Sequence, residues 1–226
     1  MSTGASMARS DADIQRDVLA ELSWDARVQA SEIGVSVAGG IATLTGWVDS
    51  YAKKWAAERI AHRVRGIRAV ANDLTVRLPG DAARTDADIA TAASRALEWD
   101  SFVPMERLEV TVANGWLTLR GEVEQGFQKR AAERAVRRLT GVRGVTNLIA
   151  VRPPAPVSAA DLERNIRDAL RRRRDIDAEL IDVDVAGGAV VLSGEVRSWL
   201  ERDEAERIAW AAPGVGDVEV RLSLTG

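Results

Sequence analysis

The chain has 226 residues, 46% of them apolar and 29% charged, and this balance is typical of a folded globular protein. It contains no cysteine and a single histidine, which excludes disulfides, thiol nucleophiles and histidine metal clusters. The formal net charge is −3 at pH 7, which argues against a general basic surface for nucleic acid.

One sequence pattern occurs three times in register, and such repetition indicates three copies of one structural unit. Aligning Gly46 with Gly121 and Gly194 gives spacings of 75 and 73 residues. The same two offsets align further sets of matching residues: Ile14, Ile89 and Leu162; Leu44, Leu119 and Leu192; Gly66, Gly141 and Gly214.

The repeats predict where the domains and linkers lie. Each unit is small, so we expect the units to gain stability by packing on one another or on a partner. The predicted boundaries are 1–9 for a disordered N-terminus, 10–78 for repeat one, 79–84 for a linker, 85–152 for repeat two, 153–157 for a proline-rich linker and 158–226 for repeat three.

Each repeat begins with a signal for a helix start, a hydroxyl residue followed three positions later by aspartate. In repeat one, Ser10 is the capping residue, and Ile14, Val18 and Leu22 follow at every fourth position. This spacing predicts a helix with one buried face. The equivalent caps are Thr85 and Ser158.

Two segments of alternating apolar residues come next and predict strands with one buried face. Gly39-Gly40, Asn114-Gly115 and Gly187-Gly188 separate them and predict tight hairpin turns. A second helical stripe and one closing strand complete each repeat. The predicted fold class is therefore α+β, with three tandem αββαβ domains, each having two helices packed on one face of a three-stranded sheet.

The repeat pattern resembles the BON family. The residues that carry the resemblance are Leu22-Ser23-Trp24-Asp25, Leu97-Glu98-Trp99-Asp100, Val110-Thr111-Val112 with Gly121 and Val123, and the run from Gly141 to Asn147. The resemblance implies an α+β sandwich of the kind found in bacterial osmotic-shock and envelope proteins. It also implies binding to phospholipid surfaces or to proteins, and it does not imply an enzyme.

Tryptophan is the most frequent aromatic residue, with seven copies against two Phe and one Tyr. Trp24 and Trp99 occupy equivalent positions, and we expect them to pack over the end of the first helix. Trp47 and Trp210 align with charged residues, and Trp116 is predicted to lie on the open sheet face. Exposed indoles favour protein interfaces and membrane surfaces, so these three are candidates for a binding surface. Packing between repeats is the alternative.

Repeat three contains the only block of basic residues in the chain, formed by Arg171, Arg172, Arg173 and Arg174. The surrounding repeat has 10 basic and 15 acidic residues, so the block is a local feature. Consecutive arginines suit the recognition of phosphate on lipid or nucleic acid. The alternative is a solvated turn that is balanced by Asp168, Asp175 and Asp177.

A Glu-Arg pair recurs on the second helix of every repeat, at Glu58-Arg59, Glu133-Arg134 and Glu206-Arg207. We interpret it as an exposed helix face with ion pairs that stabilise the helix by a few tenths of a kcal/mol at most. A recognition pair is the alternative.

These observations predict a non-enzymatic, stress-response-type protein that binds anionic phospholipid or a protein partner, with no cofactor and no metal. The alternative is a self-assembling scaffold, a homo-oligomer that uses its open sheet faces for contacts between copies. An enzyme would need a nucleophile with a positioned base, and nucleic acid is not an expected partner. Because no segment has the apolar length of a signal peptide or a membrane span, we expect a cytoplasmic protein or one peripheral at the inner face of the membrane.

Overall fold

The computed structural model describes residues 9–80, 84–154 and 157–225. The predicted N-terminal segment, both predicted linkers and the end of repeat three lie partly outside these residues. The chain divides into two units, one ending at Arg77 and one spanning Leu78–Thr225, so repeats two and three share a unit.

Repeat one places two helices on one face of its sheet. Strand β2 lies between β1, which is antiparallel to it, and β3 and β4, which are parallel to it. Ile14, Leu22, Leu44 and Ile60 lie in the one core that these elements share. The elements are α1 Asp11–Trp24, β1 Ile33–Ala38, β2 Ile41–Val48, α2 Tyr51–His62, β3 Ala69–Asn72 and β4 Thr75–Val76.

Repeats two and three have the same topology, so the predicted α+β class with three repeated units is confirmed. The elements of repeat two are α3 Asp86–Trp99, β5 Leu108–Ala113, β6 Trp116–Val123, α4 Gly126–Val136, β7 Gly144–Asn147 and β8 Ala150–Val151. Those of repeat three are α5 Ala159–Arg171, β9 Ile181–Ala186, β10 Ala189–Val196, α6 Trp199–Ala211 and β11 Asp217–Leu224.

The predicted helix starts are confirmed. The side chains of Ser10, Thr85 and Ser158 each accept a hydrogen bond from the backbone N–H of the aspartate three residues later. Each cap satisfies one of the N–H groups that have no partner within the first helical turn. The first helix of every repeat therefore begins at the position that the sequence predicts.

A carboxylate at the start of the first helix also holds the hairpin turn in repeats one and two. In repeat two, Asp86 accepts hydrogen bonds from the N–H groups of Asn114 and Gly115, both at 2.8 Å. Asp11 accepts the equivalent bonds in repeat one. Repeat three has Ala159 at this position, so its hairpin has no such tie.

Restoring this tie is expected to stabilise repeat three. Ala159→Asp should raise its free energy of unfolding by about 1 kcal/mol, because the new carboxylate accepts hydrogen bonds from the Gly187 and Gly188 N–H groups. Urea unfolding followed by hydrogen exchange of the hairpin amides measures the effect. Ala160→Asp is the matched control, since it adds the same charge to the same helical turn one residue away. Equal stabilisation by both variants would show that the gain comes from the interaction of the added charge with the helix dipole and not from hydrogen bonds to the hairpin.

The closing strand is not continuous in repeat one, and the prediction of one strand is wrong there. The Asn72 side chain donates to the carbonyl of Lys54 at 3.1 Å and to Glu58 at 3.0 Å. Its own oxygen accepts from the N–H of Leu74. These bonds interrupt the regular strand after Asn72, although the N–H of Asp73 still donates to Leu44 of β2 at 2.9 Å. The strand is therefore split into β3 and β4, which both pair with β2.

Repeat two has the same break at Asn147, which donates to Lys129 and Glu133. Repeat three has Val220 at the equivalent position, and β11 runs without interruption. The interpretation of the recurrent glutamate as part of an exposed ion pair is therefore wrong for Glu58 and Glu133. Each of these carboxylates accepts a hydrogen bond that holds the strand break.

Candidate functional site

The most exposed large apolar side chains of the described residues are Trp24 and Trp99, at 87% and 89% exposure. The expectation that they pack over the end of the first helix is wrong. Each is the last residue of its helix, and the following aspartate, Asp25 or Asp100, has an extended backbone conformation. The chain therefore leaves the helix without a further turn that would cover the indole.

In repeat two, Trp99 and Phe102 line the same depression, and Phe102 contacts Phe127; these three residues are called the aromatic cluster. Phe102 is 59% exposed and Phe127 is 42% exposed. Their rings meet edge to face, with centroids 5.8 Å apart and an angle of 89° between the planes. The Asp100 carboxylate accepts a hydrogen bond from the N–H of Phe102 at 3.0 Å, which fixes the loop after the helix.

A shallow depression of about 500 Å³ lies beside the cluster, with Trp99 and Phe102 in its wall. Ala96 and Ala135 line it with small apolar groups, and Arg134 contributes a cation. The cluster thus presents apolar rings to solvent beside one cation, Arg134, and one carboxylate, Asp100. Such a combination favours binding to a surface whose interior is apolar and whose boundary is anionic.

The equivalent place in repeat one keeps the tryptophan but not the two phenylalanines. Arg27 and Ala52 occupy those positions beside Trp24. The Arg27 guanidinium and N–H both donate to Asp25. The guanidinium bond is the main reason that the pKa of this carboxyl is lowered to about 2.

In repeat three a groove replaces the aromatic cluster. Arg172 aligns with Trp99, and it lines a groove of about 520 Å³ between α5 and α6 together with Arg173 and Arg207. All four arginines of the block, residues 171–174, are exposed. The first helix thus ends in an aromatic residue in repeats one and two and in cations in repeat three.

Two of the four arginines form ion pairs, with partners other than those predicted. Arg171 lies 3.5 Å from Glu179, and Arg173 lies 3.3 Å from Glu204. Glu204 also accepts hydrogen bonds from Arg207, which lower the pKa of its carboxyl. Asp168, Asp175 and Asp177, the acids predicted to balance the block, do not form these pairs.

The other two members of the block, Arg172 and Arg174, have no ion-pair partner within 4 Å among residues 157–225 and the rest of the described chain. Their loop is nevertheless held in place. The buried Glu201 carboxylate accepts hydrogen bonds from the N–H groups of Asp177 and Arg197, both at 2.7 Å. The block therefore combines two unpaired cations with a fixed backbone.

Trp116 and Trp47 lie on strands and have different surroundings. Trp116 is exposed on the open face of its sheet, where its Nε1 donates to Thr146 at 2.8 Å and its ring covers Gly144. Trp47 is half-buried, and the Arg77 guanidinium carbon lies 5.6 Å from its ring centroid. Trp116 is therefore the more accessible of these two candidates.

Trp210 packs between repeats two and three. A Cβ added at Gly126, the first residue of α4, would lie 2.3 Å from Cε3 of the Trp210 ring, so only glycine fits. Nearby, burial lowers the pKa of Arg130, and the Glu206 carboxylate offsets part of this shift. The alternative expected for these tryptophans, packing between repeats, is the one that Trp210 shows.

The model of the BON domain matches the chain three times, over residues 10–77, 85–153 and 158–226. The chain belongs to the BON domain family. This BON protein is 29% identical to osmotically-inducible protein Y of Escherichia coli (strain K12) over 141 residues, which cover 61% of this chain and 70% of that protein. Among solved structures it is similar to CdsD, a structural protein of the type III secretion system of Chlamydia trachomatis, at 11% identity and a TM-score of 0.27. That match covers 94% of this chain and 92% of the CdsD chain.

The described residues of this BON protein form no helix that is long and apolar enough to cross a bilayer. Within the same residues, no three His, Cys, Asp or Glu side chains are grouped so that they could hold a metal ion.

Phe102 and Phe127 are the members of the aromatic cluster that the sequence interpretation missed. A signal was available, because they are the only two phenylalanines of the chain and neither recurs. Phe102 aligns with Arg27 and Asp175, so an exposed position is indicated by the same comparison that selected Trp47 and Trp210. The same comparison gives no such indication for Phe127, which aligns with the apolar residues Ala52 and Leu200.

Proposed function

We propose that this BON protein is a non-enzymatic, stress-response-type protein that binds the surface of anionic phospholipid membranes. The observation that supports the proposal most directly is the exposed aromatic cluster of repeat two, formed by Trp99, Phe102 and Phe127. The similarity to a protein named osmotically-inducible supports the stress-related part.

The physical basis is the amphipathic character of the cluster. Aromatic rings prefer the boundary between lipid headgroups and acyl chains, and Arg134 beside them would meet the phosphate layer. A single shallow anchor binds membranes only weakly, so stable association needs a second signal. We assign that signal to the arginine block, where each cation near an anionic surface contributes about 1 kcal/mol.

The other candidates contribute less to this proposal. Trp116 is exposed and remains a secondary contact on the open sheet face. Trp47 stacks with Arg77, and Trp210 packs against Gly126, so both rings already have a place in the protein. The membrane contact is therefore assigned to the end of the first helix of repeat two, supported by Arg171, Arg172, Arg173 and Arg174.

Sedimentation with liposomes, with and without anionic lipid, tests the proposal. Trp99→Ser/Phe102→Ser should weaken partitioning by about tenfold for each ring removed, since burying an aromatic ring is worth about 1.5 kcal/mol or more. Trp24→Ser is the matched control, because it removes an equally exposed indole that lacks phenylalanine neighbours. We expect it to weaken partitioning by less than tenfold.

A variant with all four arginines of the block changed to Ser separates the two signals. It should bind anionic liposomes only as weakly as it binds neutral ones, because the aromatic cluster is unchanged and the preference for anionic lipid is lost. Equal pelleting of the wild type and Trp99→Ser/Phe102→Ser on anionic liposomes would remove the cluster from the membrane contact. No pelleting of any variant would favour a protein partner instead.

A further inference from the structure

Strand β11 is an edge strand that differs from its counterparts. It spans eight residues without a break, whereas β3 and β7 each span four and end at an asparagine. In its sheet β11 pairs only with β10, in the order β11-β10-β9. Long, regular edges are uncommon because their unpaired backbone groups recruit other strands. This edge therefore needs a partner or a reason to be left open.

The backbone groups that face the open side can be identified. The N–H of Thr225, directly after β11, donates to the carbonyl of Val196 in β10 at 2.9 Å. Successive residues of a strand direct their hydrogen-bonding groups to opposite sides. Val218, Val220 and Leu222 therefore point theirs away from β10. No strand of the described chain pairs with them.

The side chains of β11 are divided between two faces. Val218, Val220 and Leu222 pack on the core of repeat three, and the first two are only half-buried. Glu219 and Arg221 lie exposed on the open face, 2.8 Å apart. Glu219 and Arg221 are thus placed symmetrically about Val220, and a second exposed acid, Asp217, begins the strand.

We propose that two copies of this chain associate through β11, which pairs with itself antiparallel about a twofold axis at Val220. Each Val220 then faces its equivalent as a hydrogen-bonded pair, and Val218 faces Leu222 of the other copy. This gives about six backbone hydrogen bonds between the copies, all from groups that point outward. The two sheets join into one of six strands.

The charges select this register over its neighbours. With the axis at Val220, Glu219 of each copy lies opposite Arg221 of the other, in a pair without backbone bonds, where side chains are closest. Moving the axis to Glu219 would place this acid opposite itself. Moving it to Arg221 would place two guanidinium groups opposite each other. Moving the axis to Glu219 would also bring Asp217 opposite Arg221 of the other copy. Like charges directly opposite are unfavourable, however, and the register at Val220 pairs opposite charges without placing like charges opposite each other.

Two features of the chain support a second copy as the partner. In this register the charges of the edge complement those of a second copy. An unrelated peptide would need a matching pattern of charges in its own sequence. The pairing would also cover the exposed parts of Val218 and Val220, which are only half-buried in the described chain. This inference uses a surface different from the proposed membrane contact and is independent of it.

Sedimentation velocity of the full chain over a range of concentrations, without lipid, tests the inference. The wild type should show a monomer–dimer equilibrium. Glu219→Arg and Arg221→Glu each create like-charge pairs and should raise the dimer dissociation constant at least about tenfold. An equimolar mixture of the two variants restores opposite charges across the pair and should form a heterodimer as readily as the wild type dimerises.

Val220→Pro is a second test, because it removes an outward N–H that the sheet of one copy does not use. Circular dichroism checks that each variant keeps its fold. A wild type that stays monomeric at every concentration would overturn the inference. So would charge variants that dimerise as well as the wild type, or a mixture that does not associate.

Discussion

Replacing Leu119 by alanine is expected to lower the free energy of unfolding of repeat two by about 2–5 kcal/mol. Leu119 is fully buried on β6, the central strand of its sheet. It pairs with Val110 of β5 on one side and with Asn147 of β7 on the other. Because both neighbouring strands are held by β6, the surroundings cannot collapse into the space left by the missing methyl groups.

Urea unfolding combined with hydrogen exchange measures this effect, since exchange reports each repeat separately. Thr118→Ala on the same strand is the control. Thr118 is half-buried on the opposite sheet face, so its loss should cost less than about 1 kcal/mol. A Leu119→Ala protein with the exchange protection of the wild type would contradict the placement of this residue in the core.

The fold could be predicted from the sequence because the three repeats act as independent records of the same structure. Apolar residues that recur at Ile14, Ile89 and Leu162 are core positions in every copy. The hairpin residues Asn114 and Gly115 have φ of 52° and 77°, as the turn requires. Local periodicity and turn chemistry determined these elements, so sequence patterns were sufficient.

The break in the closing strand could not be predicted in the same way. It depends on a side chain, Asn72 or Asn147, that bonds to a helix 18 residues earlier in the chain. Val70, Leu74 and Val76 keep the same period of two on either side of Asn72, so the one polar residue in their phase is the only local sign of the break. Only the absence of the asparagine in repeat three, at Val220, distinguishes the continuous strand.

The candidate site was predicted only in part, for a related reason. A recurring tryptophan indicates that a position matters, but it does not distinguish a packed indole from an exposed one. Trp24 and Trp99 recur and are exposed, whereas Trp210 does not recur and packs between repeats. The exposure of Trp24 and Trp99 depends on the extended conformation of the next residue, and the burial of Trp210 depends on the neighbouring repeat. The apolar periodicity of one repeat reports neither.

Adding a single methyl group, as in a change of glycine to alanine, is expected to destabilise the protein most at Gly194. Its φ is +112°, a region that residues with a side chain rarely adopt. A Cβ at this position would lie 2.1 Å from the carbonyl oxygen of Leu180. Gly46 and Gly121 have the same close approach, at 2.1 Å from backbone oxygens of their own repeats. All three repeats therefore use glycine where β2, β6 and β10 pass the start of the preceding strand.

Gly194→Ala should therefore lower the free energy of unfolding of repeat three by at least about 3 kcal/mol, from backbone strain together with the steric clash. The atom in the way is backbone, so it cannot move aside as a flexible side chain can. Gly187→Ala is the matched control, because its φ is +57° and no atom lies within 4 Å of the added Cβ. Gly187→Ala should lower the free energy of unfolding by only about 1–2 kcal/mol, the cost of holding alanine in the left-handed conformation. Urea unfolding with hydrogen exchange in repeat three compares the two variants, and equal destabilisation would show that the close approach to Leu180 does not constrain the strand.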